Sequence, residues 1–211
     1  MNYLAHLYLA EDSDESLLGN LLGDFVKGRL VEQYSPEIIK GIKTHRKVDA
    51  YTDVHHNFLA CKKLLRADRR RFAGIIVDLS FDHFLAKNWA NYSDLELSEF
   101  TDRVYSVLLD REQTLPQELR QRLPYMVKDD WLGSYKNIET IGLALHAISK
   151  RLSRFEKAKP IKDGLDDIKS NYEEFEQNFR EFFPDLIAFV DNYRRTTFET
   201  GKSPSADLIV K

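Results

Sequence analysis

The chain of 211 residues carries 31 Lys+Arg against 34 Asp+Glu and is 43% hydrophobic, which excludes a disordered tail or a bulk nucleic-acid coat; no nucleic-acid partner is expected, and any basic binding face must be local. The length supports one well-buried core, read as a single domain over residues 1–200 with 201–211 as a loosely attached tail. A lone cysteine, Cys61, cannot form an internal disulfide, MNYLAHLYLA has no basic flank or cleavage site, and no run of about 18 apolar residues occurs, so a cytoplasmic protein without membrane insertion is expected.

Glycine and proline are sparse and β-branched alternation is weak, so the fold class is all-α. Asp12 with Glu15 makes a capping-box variant that opens a helix through SLLGNLLGDFV, and Gly28 stops it. Ser35-Pro36 caps and starts a helix running through His45 and Asp49 towards Asp53. A short helix follows around Phe58 to Arg66. The next, from about Asp68 to Trp89, has a centre, FAGIIVDLSFDHFLA, that is apolar on all sides, as in a helix buried at the middle of a bundle. Further helices are expected near 94–110, 116–128, 135–154, 164–182 and 184–198, with Pro116 and Pro184 in first turns.

Burying an unpaired charge costs several kcal/mol, so charged residues stranded in apolar helices call for a function. Asp78 and Asp82 lie one turn apart on one face of the central helix, and His83 adjoins Asp82. They are candidate ligands or catalytic groups; the alternative is carboxylates paired with buried arginines and a satisfied core histidine. His45, Asp49 and Asp53 fall at i, i+4 and i+8, which lines up nitrogen and oxygen donors for a divalent metal. Asn20 and Asp24 repeat the spacing behind Gly19 and Gly23, where a ligand or another helix can approach closely. His6 is isolated between Tyr3 and Ala10, and His146 sits alone in IGLALHAIS, where a core role is the simpler reading. Nucleotide-loop, zinc-protease and CxxC motifs are missing from the sequence.

The segments NYLAHLYLA, GNLLGDFVKG, GIKTHRKVDAYTD and VDLSFDHFLAKNW resemble the acyl carrier protein phosphodiesterases, over the N-terminal half through Trp89. The resemblance implies a helical bundle like that of the HD-domain phosphohydrolases. It also implies removal of the 4′-phosphopantetheine arm from the serine of holo-acyl carrier protein, with a divalent metal, Mn2+ first and Mg2+ or Fe2+ as alternatives. Carried onto matching positions, it gives His6, Asp24, His45, Arg46, Asp49, Asp53, Asp78, Asp82 and His83 as site residues. The chain has no His-Asp dipeptide and offers Asp82-His83 in reverse order.

On this basis Asp24, His45, Asp82 and His83 are expected to supply most of the metal shell, with His6, Asp49 and Asp53 as secondary ligands. Asp49 or Asp78 orients a ligand or serves as base, and Arg46 holds the diester through its guanidinium fork. Lys62, Lys63, Arg66, Arg69, Arg70 and Arg71 form a basic cluster suited to an acidic carrier protein. Two rival readings are a metal phosphohydrolase of nucleotides or another small phosphoester, and a non-catalytic helical module that binds an acidic carrier protein.

Overall fold

The computed structural model describes residues 1–28 and 34–199. Helices α1 (Tyr3–Tyr8), α2 (Asp14–Leu22), α3 (Pro36–Val54) and α4 (His56–Leu64) build the N-terminal part, and a 3₁₀ segment, Ala67–Phe72, leads into α5 (Ala73–Lys87). Then come α6 (Leu97–Asp110), α7 (Gln117–Lys128), the single turn α8 (Trp131–Ser134), α9 (Ile138–Arg151), α10 (Gly164–Ser170) and α11 (Tyr172–Arg194). No strand occurs among the described residues, so the all-α expectation holds. The segment 201–211, expected as a loose tail, lies outside the described residues.

The boundaries moved where side chains compete for the backbone. Ser13, not Asp12, caps α2, its hydroxyl accepting from the Ser16 amide at 3.2 Å, and α2 stops at Leu22, which leaves Asp24 on a turn. Ser35 caps α3 as expected, accepting from the Ile38 amide at 3.3 Å. The break expected at Pro184 is absent: α11 runs through it. Pro184 lies on the exposed face, while Phe179, Phe182, Phe183 and Leu186 are fully buried on both sides of it. That burial, worth roughly 1.5–3 kcal/mol per large apolar side chain, outweighs one proline in a helix interior at about 3 kcal/mol.

The core is an aromatic layer between α5 and α11. Phe81 meets Phe179 edge to face at a centroid distance of 5.5 Å and Phe58 at 5.9 Å. Elsewhere α2 and α3 cross in near contact because glycines face each other: a Cβ on Gly41 would sit 2.8 Å from the Gly19 Cα. This close approach fixes the distance between the turn after α2 and the middle of α3, where the polar residues gather.

Candidate functional site

The site begins with the N-terminal helix. The first amides of a helix have no partner within it; in α1 those of Leu4 and Ala5 donate to Asp82 Oδ2 and Oδ1 at 2.8 and 3.1 Å. Asp82 is thus a buried anchor that pins α1 across α5. So anchored, α1 buries His6. The Met1 ammonium lies 2.9 Å from Asp78 Oδ1 and 3.4 Å from Asp49 Oδ1.

The glycines of GNLLGD do the rest. A side chain on Gly23 would overlap the His45 imidazole, so glycine there lets the ring lie against the end of α2. His45 Nδ1 is 2.7 Å from the Asn20 carbonyl oxygen. A carbonyl can only accept, so Nδ1 carries the hydrogen and Nε2 faces the opposite way. Nε2 lies 3.2 Å from Asp49 Oδ2 and 3.5 Å from Asp24 Oδ1. The His6 ring stacks on that of His45 at a centroid distance of 3.7 Å, and its Nε2 is 3.1 Å from Asp49 Oδ1.

One donor atom each from His6, His45 and Asp49 falls within a 4.8 Å cluster. Both ring nitrogens of His6 are buried and lack a hydrogen bond of acceptable geometry. Leaving a buried polar atom unsatisfied costs about 1–3 kcal/mol. A divalent cation, for which imidazole nitrogen and carboxylate oxygen are ordinary ligands, fits this donor set. Asp24 is exposed on the turn beside it, its Oδ1 3.5 Å from His45 Nε2.

The electrostatics agree with a site short of positive charge. Burial works against the His45 imidazolium, but the Asp24 and Asp49 carboxylates outweigh it and raise its pKa to about 9. Burial, then the neighbouring His45 charge, push His6 down to about 4, so it is neutral. Burial disfavours the Asp49 carboxylate, yet His45, His6 and the Met1 ammonium hold its pKa well below the usual range. Asp24 is lowered in the same way by His45 against burial. Burial raises Asp78 despite the ammonium.

Of the residues expected from sequence, His6, Asp24, His45 and Asp49 come together, and Asp78 joins through Met1. Asp82 and His83 stand apart from this cluster. Both Asp82 oxygens are taken by the amides of α1. His83 is a satisfied core histidine, with Nδ1 2.8 Å from the Tyr135 carbonyl oxygen and Nε2 2.8 Å from the Tyr172 hydroxyl. The 100° step between neighbours on a helix sends the two side chains to different partners. Asp53 is exposed, two turns beyond His45, and takes no part in the cluster. Arg46, expected on the phosphate, donates to the Val26 and Gly28 carbonyls at 2.8 and 3.1 Å, bracing the turn that carries Asp24. Within the basic cluster, Arg69 is buried and paired with Asp167 at 2.5 Å, while Lys63, Arg66, Arg70 and Arg71 are exposed.

A cleft of about 920 Å³ opens beside the cluster, its wall including Asp24, Asp78, Met1 and Tyr3. Arg122 and Arg151, which no sequence motif marked, line the same space. The signal that could have found this wall is on α9: Thr140, Leu143, Ala144, Ala147, Ile148 and Arg151 recur at helical spacing and all face the cleft.

Residues 1–186 match the family model described as acyl carrier protein phosphodiesterase. Proteins of that name from Serratia proteamaculans and from Escherichia coli O6:H1 are 35% identical over 188 residues and 33% identical over 192, each covering 89% of this chain and 96% of the relative. That from Yersinia enterocolitica is 35% identical over 189 residues, with the same coverage. No solved structure matches the chain. A family match over most of the chain, with relatives this similar across nearly their whole length, shows that the chain belongs to the acyl carrier protein phosphodiesterase family.

Proposed function

We propose that the protein hydrolyses the phosphodiester joining a 4′-phosphopantetheine arm to the serine of an acyl carrier protein, with a divalent cation held by His6, His45, Asp49 and Asp24. The observation that carries the reading is the His6, His45 and Asp49 cluster, with its unsatisfied buried imidazole, at the edge of a substrate-sized cleft. Manganese is the first choice of metal, with magnesium or iron as alternatives. When bound, the cation supplies charge that neutralises the phosphate oxygens and makes water a nucleophile near neutral pH.

The chain's own residues fix the geometry. The Asn20 carbonyl holds the His45 ring in one tautomer, and Asp82 holds the helix that carries His6. Asp78 reaches the cleft wall, and its raised pKa is the direction that suits a general base. The exposed cations Lys63, Arg66, Arg70 and Arg71, with the half-buried Lys62, are the proposed docking face for the acidic carrier protein. Among the described residues no helix is long and apolar enough to cross a membrane, and Cys61 is a free buried thiol; a cytoplasmic location fits both.

The test is incubation of the purified protein with holo-acyl carrier protein and manganese, with the carrier weighed by mass spectrometry. Loss of the arm, abolished in His45→Ala, supports the reading. An unchanged carrier mass at every metal tried rejects it.

A further inference from the structure

The cleft joins two unlike surfaces. One is the stripe Leu143, Ala144, Ala147 and Ile148 on α9, where Leu143 is 72% exposed. The other lies at the C-terminal end of that stripe, where Arg151 lines the same cleft as Arg122 and Tyr3, and both guanidinium charges and that of Asp24 act on the Tyr3 hydroxyl. Arg122 is tied to Glu118 on its own helix, whereas Arg151 has no carboxylate partner among the described residues. From Thr140 to Arg151 the stripe runs about 16 Å at the rise of an α-helix.

We propose that this cleft is the channel for the arm: Arg151 and Arg122, with Tyr3 beside them, bind the phosphate, and the α9 stripe takes the uncharged length of the pantetheine chain, its methyl and methylene groups against the apolar side chains. The inference rests on the proposed function and assigns it a substrate site. Charge complementarity supports the occupant. Two guanidinium groups meet a phosphate at the end nearest Asp24, and an uncharged surface continues away from them, matching a ligand that is anionic at one end and uncharged along the rest. Arg46 is thereby relieved of the phosphate-binding role, since its guanidinium is spent on backbone carbonyls.

The probe is free 4′-phosphopantetheine, with binding read by calorimetry and by the fluorescence of Trp131, which lines the cleft. The wild-type protein should bind it, and Arg151→Gln should weaken binding at least about tenfold, the loss expected for one charge-assisted contact. Ala147→Phe, an exposed position where bulk cannot disturb the core, should block the stripe and weaken binding to a similar extent. Absence of wild-type binding, or equal binding in both variants, overturns the channel. So does binding of apo-acyl carrier protein, but not of the free arm, that Ala147→Phe abolishes, because the stripe would then hold a protein face. Turnover separates the two readings: a wild type that binds the arm yet never releases it from the carrier contradicts the catalytic function alone, whereas a wild type that turns over no faster than Ala147→Phe contradicts the channel alone.

Discussion

His45 donates its Nδ1 hydrogen to the carbonyl of Asn20 across 2.7 Å, and this bond between α3 and the last turn of α2 decides which nitrogen of His45 faces the site. The ring reaches that carbonyl because residue 23 has no side chain. Gly23→Ala should therefore displace His45 and lower kcat/KM by about tenfold or more, with every proposed ligand still present. Steady-state kinetics with manganese checks this; activity within twofold of wild type would show that the ring does not depend on the space at Gly23.

Asp82 anchors α1 through two amides, so Asp82→Ala leaves both buried and unpaired. The loss should be about 2–4 kcal/mol of stability, measured by urea denaturation, with weaker manganese binding because α1 also carries His6. Asp82→Asn keeps an acceptor and should recover part of both.

Cys61 is fully buried, and burial pushes its thiol up to about 12 from an ordinary 9.0. A thiol whose pKa is raised in the folded state favours folding below its ordinary value, and that contribution is lost as pH climbs from about 9 towards 12. Alkylation near neutral pH should be negligible in the native protein and should rise in step with unfolding across a denaturant series.

The basic cluster divides by burial. Arg70→Glu with Arg71→Glu should raise KM for holo-acyl carrier protein at low salt, with little change in melting temperature and a smaller effect at high salt. Arg69→Glu should instead destabilise the fold by roughly 3–5 kcal/mol, because it puts a second carboxylate against Asp167 in a buried pair. Parallel thermal melts and kinetics on the two variants distinguish docking from packing.

The helical class, the N-terminal start of α3 and the buried centre of α5 were legible in the sequence, because periodicity and caps are local signals. His45 and Asp49 were legible as a pair for the same reason: i and i+4 share a helix face. That Asp82 and His83 lie outside the cluster could not be read, because sequence marks a buried polar residue without naming its partner, and theirs include backbone groups at Leu4, Ala5 and Tyr135. His6 joins His45 only through the docking of α1 on α5, a tertiary contact with no local trace. Arg122 and Arg151 were invisible on similar grounds: one is half-buried and the other exposed on helices of mixed polarity, where arginine is ordinary.

Manganese titration of purified variants by calorimetry separates the cluster of His6, His45 and Asp49 from the pair Asp82 and His83 most directly. His45→Ala should lose at least about tenfold in affinity, whereas His83→Gln, even if less stable, should bind as the wild type does while folded. Undiminished binding in His45→Ala, together with its loss in folded His83→Gln, would contradict the assignment.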